Sequence, residues 1–75
     1  MKEKEELEKL INEGKIKSIY QKSFGEENES FYIEVLKCNF CEKTFTLLEI
    51  NTPYKIKTNI KKLIYDIKAH LNKHG

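Results

Sequence analysis

The chain contains no arginine and no tryptophan, a single proline, three glycines and two cysteines. At 39% hydrophobic residues it is too apolar for a disordered chain, and so little Pro and Gly excludes a low-complexity one. No stretch approaches the ~18 uninterrupted apolar residues of a membrane-spanning helix. The first residues hold neither an apolar run nor a small-residue cleavage site, so no leader peptide is expected. Two cysteines at positions 38 and 41 cannot frame a secreted scaffold, because a bridge between them would close too small a loop. An intracellular protein in a reducing compartment is expected, its thiols engaged in metal or redox chemistry. Seventy-five residues, 8.9 kDa, are read as a single domain over residues 1–75.

The net charge of +2 hides an uneven distribution. Residues 1–49 hold eight Lys and eleven Glu, a sum of −3, whereas residues 50–75 hold six Lys and one Asp, a sum of +5.

The pattern of apolar residues predicts an α+β fold: a short N-terminal helix, a three-stranded antiparallel sheet and a long C-terminal amphipathic helix. Leu7, Leu10 and Ile11 make one apolar stripe on a helix over 4–13 that Gly14 stops. Alternation over 15–24, 31–38 and 44–50 predicts three strands, with a glycine-led acidic hairpin loop over 25–30. Apolar residues occur on both parities of the strands, which suggests that helices cover much of the sheet. Thr52-Pro53 is a helix-start signal. Ile56, Ile60, Leu63, Ile64, Ile67 and Leu71 then give the apolar face of a helix over 53–73, about 30 Å long and ending at Gly75. A start at Thr58 is the alternative.

Cys38-Asn39-Phe40-Cys41 has the spacing of a metal knuckle, and His70 and His74 stand one turn apart on one face of the last helix. Two thiolates and two imidazoles are the donor set that a single tetrahedral Zn²⁺ takes, so Cys38, Cys41, His70 and His74 are the expected ligands of one structural, fold-stabilising zinc per chain. A redox role for the cysteine pair is the alternative; such pairs sit at helix N-termini, whereas this one falls between strands. Asp66, one turn before His70, is a candidate acceptor for the histidine ring. The sequence lacks HExxH, a nucleophile triad and a glycine-rich phosphate loop, and four protein ligands leave no position for water. No enzyme and no small-molecule substrate are expected.

At these residues the chain resembles the Cys2His2 zinc finger family. Cys38-x2-Cys41 matches its thiol pair, Phe45 its core aromatic, Ile67 its core aliphatic and His70-x3-His74 its imidazole pair. The resemblance implies an elaborated finger unit within residues 31–75. About sixteen residues are inserted between Phe45 and Ile67, since the family has about a dozen residues between second Cys and first His. It also places base-reading positions at Leu63, Asp66 and Ala69, which lack the side chains that make bidentate base contacts.

Contact with nucleic acid is therefore assigned to phosphates, through Lys55, Lys57, Lys61, Lys62 and Lys68 of the last segment. The expected function is a small DNA-binding protein, in particular a transcriptional regulator. The alternative is a zinc-stabilised module for protein interaction or homodimerisation without nucleic acid. In that case the acidic first helix pairs with the basic last one, in the same or another subunit.

Overall fold

The computed structural model describes residues 2–74. It is α+β, with helix α1 (Lys2–Asn12), strands β1 (Ile16–Glu26), β2 (Glu29–Cys38), β3 (Thr44–Asn51) and β4 (Ile56–Thr58), and helix α2 (Ile60–His74). The four strands form one antiparallel sheet in the order β1-β2-β3-β4.

Helix α1 carries Glu3 and Glu5 in its first turn and Lys9 in its last, charges that complement the helix dipole. It closes with paired capping bonds: Gly14 N–H to Ile11 C=O at 3.0 Å and Lys15 N–H to Leu10 C=O at 3.1 Å. These require the positive φ of 76° that Gly14 adopts. The chain turns directly into β1, whose hairpin with β2 is longer than the alternation predicts. Glu26 still pairs with Glu29, leaving Glu27-Asn28 as the turn. Gly25 permits this, since a Cβ there would collide with the Glu29 carbonyl oxygen. A bulge between Ser18 and Tyr20 makes Ile19 the extra residue of β1.

The sheet has four strands, not the expected three. Thr52-Pro53 starts a turn rather than a helix: Thr52 N–H donates to Lys55 C=O at 2.8 Å, and Lys55 N–H reaches Thr52 Oγ1 at 3.0 Å. Pro53 occupies the second position of that turn, where its fixed φ fits as well as it does in a helix. The turn reverses the chain into β4, which pairs Ile56 with Asn51, Lys57 with Ile50 and Thr58 with Glu49. Helix α2 therefore starts near the alternative position. Ile60 N–H donates to Thr58 Oγ1 at 3.2 Å, and Leu63 N–H to Asn59 C=O at 2.8 Å opens the helical ladder. Its fifteen residues span ~22 Å. Ile56, expected on the helix's apolar face, lies in β4 and is 79% exposed. Gly75 lies outside the described residues.

Both helices lie on one face of the sheet. Leu7 and Leu10 of α1 and Ile60, Leu63, Ile64 and Ile67 of α2 close over Ile16, Leu36, Phe45 and Leu47. The expectation that helices cover much of the sheet holds for this face alone: Tyr20, Phe24 and Leu48, of the opposite parity, are exposed. The acidic first helix does pair with the basic last one within the chain, through Glu3–Lys61 at 3.9 Å and Glu6–Lys68 at 3.2 Å.

Candidate metal centre

Three segments meet at one end of the sheet. Cys38 is the last residue of β2 and is fully buried. The chain then reverses through Asn39 and Phe40, and Cys38 N–H donates to Lys43 C=O at 2.9 Å to close the loop. Inside it, Phe40 N–H points at Cys38 Sγ (3.4 Å) and Lys43 N–H at Cys41 Sγ (3.5 Å). Each sulfur thus faces a backbone N–H donor. Asn39 ties the loop to the end of α1: its Nδ2 donates to Gly14 C=O at 2.7 Å and its backbone N–H to Lys15 C=O at 3.0 Å.

The last turns of α2 bring the imidazoles. His70 Nε2 lies 3.1 Å from Cys41 Sγ and 3.1 Å from His74 Nε2. The ligand atoms of Cys38, Cys41, His70 and His74 all lie within 4.8 Å of one another. A tetrahedral ion with bonds of about 2.0–2.3 Å has edges of about 3.3–3.8 Å, so the four atoms are gathered at the right scale. Hydrogen bonding alone does not account for the arrangement. His70 Nε2 has one proton or one lone pair to offer, yet two groups converge on it at 3.1 Å. A cation at the centre satisfies all four donors at once, and the set can hold one metal ion.

Aromatic rings fix the imidazoles. Phe45, buried in β3, meets His70 edge-on with ring centroids 5.6 Å apart, and Phe40 leans on His74 at 5.9 Å. Ile67, one turn before His70, is fully buried and anchors the helix to the sheet. The His70 pKa is lowered from the ordinary histidine value, first by partial burial and then by the positive potential of His74, Lys43 and Lys73. That shift keeps the ring neutral and able to ligate. Asp66, proposed above as an acceptor for the ring, is exposed and makes no hydrogen bond to His70 among the described residues.

The lysines assigned to nucleic acid do not form one helical face. Lys55 sits in the β3–β4 turn and Lys57 in β4; Lys61 and Lys68 are engaged by Glu3 and Glu6 of α1. Lys62 alone of the five lines a groove of about 600 Å³ between α2 and the outer edge of β3. Lys43 and Lys73 join it there, and Asp66 is the one acid among the lining residues. Leu63, Asp66 and Ala69, the positions given by the finger resemblance, line the same groove. Lys43 and Lys73 were not assigned to nucleic acid from the sequence, because they are 30 residues apart and converge only through the fold.

Compared with known protein families, curated proteins and solved structures, the chain matches none. None of its helices is long and apolar enough to cross a membrane, among the described residues.

Proposed function

We propose that Cys38, Cys41, His70 and His74 hold one Zn²⁺ as a structural ion, and that the chain is a small intracellular DNA-binding protein of the transcription-regulator kind. Two soft thiolates with two imidazoles suit zinc, whereas calcium and magnesium prefer oxygen donors. Four protein ligands fill a tetrahedral shell, so the ion closes the fold and is assigned no catalysis.

One observation carries the DNA reading: Lys43, Lys62 and Lys73 ring the groove beside the metal centre, facing a single acid, Asp66. The acids of the first half of the chain lie mostly elsewhere, on α1 and at the β1–β2 turn. The test is titration with duplex DNA over a range of salt. Three neutralised phosphates give a slope of log K on log[salt] near −2.7, and each Lys→Gln change in the groove flattens it by about one. Absence of binding, or affinity indifferent to salt, defeats this reading. The uncovered sheet face favours the second one, a protein-interaction module.

A further inference from the structure

The open face of the sheet carries a group of apolar side chains, with Lys22 among them opposite Ile33, between two ends of opposite charge. Phe24 pairs with Phe31, Tyr20 with Val35 and Ile33 with Leu48, all on the face that neither helix covers. Phe24 and Phe31 stack at 5.4 Å, yet Phe24 stays 48% exposed and Tyr20 51%. An exposed apolar face of this kind marks a surface that another molecule covers.

The ends of the face indicate which molecule. At the end nearest the metal centre, Lys17 stands directly opposite Lys37. At the hairpin tip, Glu26 stands directly opposite Glu29, with Glu27 in the turn between them. Like charges in register across an antiparallel pair are destabilising, and this face has one such pair at each end, of opposite sign. Lys37 finds a partner in the highly exposed Glu42 at 3.6 Å, whereas Lys17, Glu26 and Glu29 have no ion-pair partner among the described residues.

The geometry points to a homodimer in which two copies of the chain pack open face to open face with their strands antiparallel. A two-fold axis lying between the sheets and across the strands reverses the strand direction. It lays the Glu26/Glu29 tip of each copy over the Lys17/Lys37 end of the other. Both like-charge pairs then meet their complement twice per dimer, and Tyr20, Phe24 and Leu48 are removed from water, while Lys22, on the edge strand β1 with its ammonium 5.9 Å from the Phe24 ring, keeps its charge at the solvated rim. Sheets packed this way sit about 10 Å apart with nearly aligned strands. Three strands of eight to eleven residues present roughly 30 Å by 15 Å of face, about 900 Å² over both copies, the size of a weak, reversible interface. Lys22 and Lys57 also stand on this face, but the Glu26/Glu29 pair, without an ion-pair partner among the described residues, suits a second copy better than a uniformly anionic nucleic acid. The dimer leaves the groove between α2 and β3 free, so it holds whether or not the chain binds DNA.

The test is sedimentation equilibrium of the metal-loaded full chain and of two charge-reversed variants. In Lys17→Glu/Lys37→Glu both ends of the face are acidic; in Glu26→Lys/Glu29→Lys both are basic. The wild type is expected to dimerise at submillimolar concentration. Each variant alone is expected to associate at least tenfold more weakly, and their equimolar mixture to recover the dimer as a heterodimer. Metal content and circular dichroism report whether each variant is folded. Leu48→Lys, a charge at the centre of the face, is expected to be monomeric with its metal bound. A monomeric wild type at these concentrations overturns the proposal, as does a mixture no better associated than its components. A monomer whose open face is protected by a single-stranded oligonucleotide overturns it in favour of a nucleic-acid surface.

Discussion

Cys41 Sγ and His70 Nε2 lie 3.1 Å apart although 29 residues separate them in the chain. The contact joins the reversal after β2 to the last turns of α2, so any ion held there ties the sheet to the helix that covers it. Structural zinc in finger peptides contributes about 10–16 kcal/mol, which is as large as the whole stability of a small domain. Chelation is therefore expected to lower the melting temperature more than any single core substitution does. The long β1–β2–β3 meander should keep some far-ultraviolet dichroism after α2 loosens. Thermal melts with and without chelator check this; an unchanged melt contradicts it.

Asn59 holds the start of α2 to β3. Its Oδ1 accepts Leu48 N–H at 2.8 Å and its Nδ2 donates to Thr46 C=O at 2.9 Å, so the side chain extends the ladder where β4 has ended. Asn59→Ala removes both bonds at the helix cap and is expected to cost about 1–3 kcal/mol in denaturant unfolding. A cost within error of zero would show that water replaces both bonds.

Ile67 is fully buried in the core between α2 and the sheet, one turn before His70. Ile67→Ala is expected to cost about 2–5 kcal/mol and to weaken metal affinity, because His70 rides on the same turn. Calorimetric titration with zinc separates the two effects. Full affinity in the variant would show that the histidines are positioned without this anchor.

Acid should act on the centre with a definite sign. The folded His70 pKa lies below the unfolded one, so on acidification the unfolded chain takes up the proton first. Stability is thus intact above the ordinary histidine value and falls as pH drops below it. Metal release, which needs protonated ligands, has the same sign. Chemical denaturation at stepped pH and fixed zinc should show stability declining from neutrality toward about pH 5; a rise would contradict the account.

A second titration belongs to the same covered face, farther along β2 toward its hairpin with β1. Glu34, buried in β2, accepts hydrogen bonds from Tyr32 Oη at 3.0 Å and Gln21 Nε2 at 2.9 Å. Burial first, then the bond to Glu34 and the charges of Glu34 and Glu49, push Tyr32 from 10.0 up to about 12. Stability from this cluster is complete below pH 10.0 and lost as pH rises toward about 12. Ultraviolet titration of the four tyrosines should show one lagging phenol that Tyr32→Phe removes; four phenols titrating together would refute the shift.

The cluster of Cys38, Cys41, His70 and His74 was legible because each half is local: two thiols three residues apart on a turn, and two imidazoles one helical turn apart. Strands β1 to β3 were legible from their alternation. Strand β4 was not, since Ile56-Lys57-Thr58 is too short to show a period and Thr52-Pro53 suits a turn as well as a helix. The apolar residues on both parities suggested that helices cover much of the sheet, whereas they cover one face. Which face the helices take is decided by tertiary packing, and alternation carries no mark of it. The lysines separated for the same reason: Lys61 and Lys68 are taken up by α1, while Lys43 and Lys73 are gathered beside His70 by the fold alone.

X-ray absorption at the zinc edge, on the chain loaded with one equivalent of the metal, tests the centre most directly. Two sulfurs at about 2.3 Å and two imidazole nitrogens at about 2.0–2.1 Å are predicted, with one sulfur lost in Cys41→Ser and one nitrogen in His74→Ala. A shell of oxygen and nitrogen alone, or a chain that folds fully without taking up the ion, would contradict the clamp.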